Sequence, residues 1–290
     1  MIEIKVKKEL SSVKETFKLD VDITIKNREF ITIFGKSGVG KTSLLKIIAG
    51  LIQVDYGFIK INDQIWLDTE KNINLPPQKR KIGFVFQDFA LFPNMTVEQN
   101  IAFAMAKKDK NFLKKVLEVT EIENIKHKKP DTLSGGQKQK VALARAIARK
   151  PTLLLLDEPF SSLDLETRQK LQEELKKIHD EFNLTTILVS HDFSEIFRLS
   201  DRVFLLEKGK IKKHGKPEDI FIQEKLSGKV KLTGQILNIE KEDIMYIITV
   251  LIGNNVIKIV AVEEEIKELN IGDNVIIATK GFNPFVLRTM

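Results

Sequence analysis

Residues 31–42 read Ile-Thr-Ile-Phe-Gly-Lys-Ser-Gly-Val-Gly-Lys-Thr. The apolar run Ile31–Phe34 predicts a short strand, and Thr42–Leu51 continues with helical character. Between them, Gly35, Lys36, Ser37, Gly38, Val39, Gly40, Lys41 and Thr42 fit the pattern G-x4-G-K-[ST]. Glycines let the backbone wrap tightly, so successive N–H groups point inward at an anion. The helix that starts there adds its positive N-terminal end. Lys41 is placed to reach the outer phosphates of a nucleotide, and the Thr42 hydroxyl to ligate Mg²⁺. A glycine-rich turn with no ligand is the alternative, but a strand before and a helix after are the context phosphate binding requires.

Two further apolar runs end on polar residues. Leu153–Leu156 is followed by Asp157, Glu158 and Pro159, and Thr186–Val189 by Ser190, His191 and Asp192. Continuous apolar strands separated by helices indicate a parallel sheet buried on both faces. Ligands of such sheets sit beyond the carboxyl ends of the strands. Asp157 is a candidate Mg²⁺ carboxylate, and Glu158 is a candidate to polarise an attacking water. Alone, Asp-Glu-Pro could equally be a helix cap. The loop at 35–42 favours the catalytic reading.

The chain has 290 residues, 47 Lys and Arg against 40 Asp and Glu, a net charge of +7 and no cysteine. Disulfides, thiolate metal sites and Cys nucleophiles are therefore excluded. Apolar runs such as 246–252 fall short of a membrane span, and the start MIEIKVKKEL has no apolar core of a secretory signal, so a cytosolic chain is expected. The basic excess lies in residues 1–228; residues 229–290 carry 7 basic and 8 acidic side chains. Dispersed Lys on solvated faces explains that excess better than a nucleic-acid surface, since few aromatics accompany it.

The expected fold class is α/β with a second, small all-β unit. Residues 1–228 form the nucleotide-binding domain, with a mostly helical subdomain over about 90–149. Thr96 with Gln99, and Asp192 with Glu195, have capping-box spacing. From about 229 the period changes: Ile236–Ile239, Tyr246–Ile252, Val256–Val262 and Val275–Thr279 read as strands, with turns at Gly253-Asn254-Asn255 and Ile271-Gly272-Asp273. The boundary is expected near Gly228.

The segment Leu133, Ser134, Gly135, Gly136, Gln137, followed by a helical run, adds the discriminating element. With the loop at 35–42, Gln87 after a strand, LLLLDE at 153–158, Ser161-Ser162-Leu163-Asp164 and His191, it gives six elements in order. Over residues 2–225 the chain resembles the ATP-binding cassette (ABC) ATPases, a class of P-loop NTPase. One departure is Lys138 and Lys140, where many members have Gln or Arg.

That resemblance implies ATP and Mg²⁺ as ligands, and two chains closing head to tail around two ATPs. Leu133–Gln137 would face the γ-phosphate held by the other copy, and Asp164 would shape the seam. Glu158, His191 and Gln87 would be catalytic, with Thr42, Gln87 and Asp157 around the metal. Members stack adenine on an N-terminal aromatic; Phe17 is the candidate here, or else a core residue. The segment Asp88–Pro93 is similar to the surface that importers use to grip membrane permease subunits, which a solute-binding protein serves from the far side. The tail, through Gly272-Asp273 and Lys280–Phe285, is similar to the oligonucleotide-binding-like (TOBE-type) regulatory module of importer ATPases. With Leu75–Gln87, the pattern is most similar to molybdate-importer ATPases; sulfate, ferric-iron and polyamine importers share much of it. The implied location is the cytoplasmic face of the membrane, without nucleic acid. Non-transport ABC ATPases of translation or DNA repair are the competing class, but those typically carry two cassettes or a long inserted coiled coil.

Overall fold

The computed structural model describes residues 1–11, 16–161, 163–221, 231–242, 245–261, 263–267 and 269–278. The chain divides into two compact units, Met1–Ile222 and Gln223–Met290. The expected boundary at Gly228, Ser162 and the Lys280–Phe285 segment lie outside the described residues.

The first unit runs β1 (Ile2–Ser11), β2 (Thr16–Ile25), β3 (Phe30–Phe34), α1 (Lys41–Ile48), β4 (Tyr56–Ile61), β5 (Gln64–Asp68), β6 (Ile73–Asn74) and β7 (Ile82–Val85). Three helices follow: α2 (Val97–Ala104), α3 (Lys110–Val119) and α4 (Gly135–Ala148). Then come β8 (Leu153–Asp157), α5 (Leu165–Glu181), β9 (Thr185–Ser190), α6 (Phe193–Leu199), β10 (Arg202–Glu207), β11 (Lys210–Gly215) and α7 (Pro217–Phe221). The strands form one sheet in the order β6-β5-β4-β1-β2-β11-β10-β3-β9-β8-β7.

Its β10-β3-β9-β8-β7 half is parallel. These strands are mostly apolar because both faces are covered. On β8, Leu154 and Leu156 join the core beneath α2–α5, whereas Leu153 and Leu155 join the core around α1. That is the period of two expected of a strand between two layers. Each buried Leu contributes about 1.5–3 kcal/mol. The other half departs from the all-parallel expectation: β1, β2, β4, β5 and β6 pair antiparallel. Thr16–Ile25 has a half-exposed, alternating pattern, Leu19, Val21, Ile23 and Ile25 inward and Lys18, Asp22 and Thr24 outward. One wet face suits antiparallel pairing.

The helical subdomain lies between β7 and β8. Thr96 caps α2 in a reciprocal capping box with Gln99, as the spacing predicts. Asp192 also caps its helix, but Glu195 does not return the bond; its side chain is buried instead.

The second unit is a four-stranded antiparallel sheet, β14-β13-β12-β15, with β12 (Lys231–Glu242), β13 (Met245–Ile252), β14 (Asn255–Ala261) and β15 (Asn274–Ala278), plus a short α8 (Glu263–Ile266). Ile252 pairs with Asn255, so Gly253-Asn254 forms a two-residue hairpin, with Gly253 at φ 58°. Ile236, Ile248, Val250 and Ala261 form its small core. This all-β unit is consistent with an OB-like module. Val262 and Thr279, the expected ends of two strands, lie outside the described residues.

Candidate functional site

Four neighbouring parallel strands deliver the predicted residues to one sheet edge. Register places Phe34 beside Ser190, Val189 beside Asp157 and Leu156 beside Val85. The next residues along each strand are therefore Gly35, His191, Glu158 and, two beyond Val85, Gln87.

The loop at 35–42 leads directly into α1, where Gly40 occupies the N-cap at φ 99° with no side-chain cap. The first-turn N–H groups are thus left for an external acceptor. Gly35 has no room for a side chain, since a Cβ there would collide with the Leu206 carbonyl oxygen. Lys36, Ser37 and Gly38 are exposed, Val39 half-buried, and Lys41 buried. The Lys41 ammonium donates to the loop's own carbonyls, Gly35 O at 2.9 Å and Lys36 O at 3.0 Å. Burial lowers its pKa, partly offset by Glu158 and Asp157. An ammonium that bonds two neutral carbonyls, with the Glu158 carboxylate at 3.9 Å, can exchange those carbonyls for an incoming anion.

Thr42 Oγ1 donates to Asp157 Oδ1 at 2.8 Å. Burial pushes the Asp157 carboxyl up, against the Thr42 hydrogen bond. A hydroxyl and a buried carboxylate in contact are hard oxygen donors, and this pair fits Mg²⁺. Gln87 is exposed at the same edge.

Glu158 stands at the centre. Its Oε1 is 3.9 Å from Lys41 Nζ and its Oε2 3.4 Å from His191 Nδ1. Its backbone is left-handed, φ 46°, fixed by a hydrogen bond from its N–H to Val189 O at 3.1 Å and by Ser161 Oγ donating to its carbonyl at 3.0 Å. A non-glycine residue in that region is strained and is found where the surroundings over-determine it.

Phe17, on β2, lies beside the loop: a Cβ on Gly40 would stand 3.4 Å from its ring. It is half-buried, so it is neither wholly core nor free.

The Leu133–Gln137 element gathers elsewhere. Ser134 caps α4 in a capping box with Gln137. Ser134 and Gly135 are exposed, and Leu133 is buried. Gly136 packs on Thr167, 3.0 Å from the position of a Cβ, and Gly135 on Leu163. Asp164 caps α5, accepting from Thr167 N–H at 2.9 Å. Leu133–Gln137 and Asp164 are thus neighbours. Among the described residues no hydrogen bond joins them to the loop at 35–42.

Three contributors were missed by the sequence reading. Arg80 is fully buried and donates to Leu75 O, Ile47 O, Ile48 O and Asn74 Oδ1 at 2.6–3.1 Å, tying the C-terminal end of α1 to the β5–β7 region. Arg145 holds the 88–93 segment, donating to Phe89 O at 2.8 Å and Ala90 O at 2.6 Å. Arg168 bonds Asp192 at 2.9 Å. Each has at least one partner more than 20 residues away, and no local sequence signal marks such a contact.

A family model described as "ABC transporter" matches residues 19–161. In a solved structure, the dimeric bacterial ABC transporter cassette MJ0796, 33% of aligned residues are identical, with a TM-score of 0.63, covering 75% of this chain and 99% of that one. The chain belongs to the ABC transporter family. Another structure of MJ0796, a post-hydrolysis dimer bound to ADP and Pi, matches at 32% identity and the same TM-score of 0.63.

Among curated proteins, the molybdenum import ATP-binding protein ModC of Vibrio parahaemolyticus is 40% identical over 202 residues, 70% of this chain and 55% of that protein. The spermidine/putrescine import ATP-binding protein PotA of Haemophilus influenzae is 42% identical over 224 residues, 73% and 59% respectively. The sulfate/thiosulfate import ATP-binding protein CysA of Mesostigma viride is 42% identical over 209 residues, 70% and 58%. The matches thus span little more than half the length of these relatives. No helix among the described residues is long and apolar enough to cross a membrane.

Proposed function

We propose that the chain hydrolyses ATP and drives an ABC importer, working as a homodimer at the cytoplasmic face of the membrane. The observation that carries this reading is the convergence of Lys41, Glu158 and His191 on one sheet edge beside the Thr42–Asp157 pair. Lys41 exchanges its loop carbonyls for β- and γ-phosphate oxygens. Glu158 orients a water for in-line attack on the γ-phosphorus and takes its proton as the bond to the β–γ bridging oxygen breaks. His191, beside Glu158, donates to a γ-phosphate oxygen. Thr42, Asp157 and Gln87 would hold Mg²⁺, which neutralises developing phosphate charge. Phe17 receives the adenine ring.

The separation of Leu133–Gln137 from the loop at 35–42 supports the dimer. Ser134 and the free N–H groups at the start of α4 form a second anion-binding helix end with no phosphate partner in its own chain. A second copy supplies one. ATP bound by both faces favours the closed pair, and loss of the γ-phosphate removes that preference.

The permease is gripped through the 88–93 segment. Phe92 and Phe103 are 36% and 64% exposed, with rings 4.9 Å apart, and Arg145 lies over Phe92. The solute is molybdate or a related oxyanion, a reading supported by ModC among the relatives and by residues 75–87. Sulfate, ferric-iron or polyamine import is the alternative; CysA and PotA, at similar identity, support the sulfate and polyamine readings.

Steady-state hydrolysis measured over a wide range of enzyme dilution tests the enzyme. Turnover per chain should fall at high dilution as pairs dissociate; no turnover at any concentration contradicts the reading. Capture from detergent-solubilised membranes tests the transport role. An integral membrane partner is expected, whereas ribosomes or DNA would point to the translation or repair class.

A further inference from the structure

His191 is 64% exposed, with its Nδ1 3.4 Å from Glu158 Oε2. The backbone that carries so exposed a side chain is held by hydrogen bonds on its C-terminal side. Asp192 N–H donates to Ser190 Oγ at 2.9 Å. Asp192 Oδ1 accepts from Ser194 N–H at 2.7 Å and Glu195 N–H at 3.4 Å, pinning the start of α6. In the first turn of α6 the Glu195 side chain is buried.

The other oxygen of Asp192 leads away from this turn. Oδ2 accepts from Arg168 Nη1 at 2.9 Å. Arg168 Nη2 donates to Leu163 O at 3.1 Å, and its backbone N–H donates to Asp164 O at 2.9 Å. The guanidinium thus grips the residue before Asp164 with one nitrogen and the residue after His191 with the other. Burial pushes the Asp192 carboxyl up, but hydrogen bonds from Ser194 and Glu195 and the Arg168 charge outweigh it and hold it below its ordinary value. Both partners are mostly buried, at 23% and 27% exposure, so solvent screens the pair less than an open surface bridge.

We propose that Arg168 is a positioning residue: through Asp192 it ties the turn at 163–164 to the turn carrying His191, so that a second copy pressing on Asp164 sets the imidazole against Glu158. This rests on the reading that a second copy closes over Leu133–Gln137 and Asp164. The tie gives that contact a mechanical route to the hydrolytic side chains of the same chain. It separates two jobs: Lys41 and the loop at 35–42 bind nucleotide in one chain, while the 163–192 tie, formed within that chain, transmits the contact made by a second.

The test uses Arg168→Met and Asp192→Asn, singly and together, in the full chain. Asn keeps an oxygen for the α6 cap but turns an N–H toward Arg168, so it breaks the tie without uncapping the helix. Each single variant should lose about tenfold in kcat, with KM and nucleotide affinity within about twofold, and the double variant should be no worse than Arg168→Met, as expected of two residues acting through one contact. Arg168→Lys, which reaches one partner but not both, should recover part of the loss. Hydrogen exchange without nucleotide should speed up at amides 191–196 in Arg168→Met while the strand before them, β9, stays protected. Unchanged kcat, losses that multiply in the double variant, or an equal fall in nucleotide affinity would overturn the proposal. Should the wild-type chain not hydrolyse ATP, the enzymatic reading fails on its own, and the exchange measurement decides the tie: unchanged protection at 191–196 overturns it.

Discussion

Glu158 Oε2 and His191 Nδ1 lie 3.4 Å apart, although the two residues are 33 positions distant in sequence and stand on different strands. The contact exists because β8 and β9 are parallel neighbours whose register aligns Asp157 with Val189. One strand therefore ends in a carboxylate where the next ends in an imidazole. Lys41, 3.9 Å from the other carboxylate oxygen, completes the group.

If Glu158 takes the proton of the attacking water, Glu158→Gln should lower hydrolysis about 100- to 10,000-fold, the usual worth of a general base. Nucleotide binding should survive, and size-exclusion with ATP should show an accumulated dimer. A monomer throughout would count against the seam.

Lys41 sits on two backbone carbonyls that it surrenders to phosphate. Lys41→Ala removes a charge-assisted hydrogen bond and should weaken ATP binding about 10- to 100-fold, corresponding to about 1.5–3 kcal/mol. Equilibrium binding of a fluorescent ATP analogue reads this directly, and unchanged affinity would remove Lys41 from the site.

Glu195 supplies a pH signature. Burial raises its carboxyl from 4.5 to about 7. Between those values the folded chain binds more protons than the unfolded one, so this group's contribution favours the fold below about pH 4.5 and is lost as pH rises through about 7. Glu195→Gln keeps the shape without the charge. It should raise the melting temperature relative to wild type at pH 8, by an amount worth on the order of 2–3 kcal/mol, and lose that advantage near pH 4.5. A gap independent of pH would mean the carboxyl is not the cause.

Arg80 carries a buried charge satisfied mainly by carbonyls at the end of α1, and burial lowers its pKa to about 10. Arg80→Met removes the donor to Ile48 O and Leu75 O and should cost on the order of 3 kcal/mol in urea unfolding. A loss below about 1 kcal/mol would show that water replaces the guanidinium freely.

Much of this site was legible from residues 31–42, 153–158 and 186–191, because buried parallel strands are continuously apolar and catalytic residues follow directly at their ends. Thr96–Gln99 and Ser134–Gln137 announce their helix starts for a similar reason: a cap is a local hydrogen bond between residues three apart. Glu195 was misread because the spacing of a capping box says nothing of burial, and here the interior outcompeted the cap. The antiparallel strands β1, β2 and β4–β6 went unassigned, although the alternation in Thr16–Ile25 was available to find them. Arg80, Arg145 and Arg168 were invisible for a topological reason, since each bonds an oxygen, on Ile48, Phe89 and Asp192 respectively, that only the finished fold brings near.

The composite site has one decisive experiment. Lys41→Ala spoils the loop at 35–42 but leaves Leu133–Gln137 intact; Ser134→Arg does the reverse, and should still bind ATP as a single chain. Each variant alone should be nearly inactive. Mixed in equal amounts, random pairing gives mixed dimers with one undamaged composite site, and the rate per chain should climb to about a quarter of the wild-type value. A mixture as inactive as its components, with both chains folded and paired, would mean that each chain works on its own nucleotide, contrary to this account.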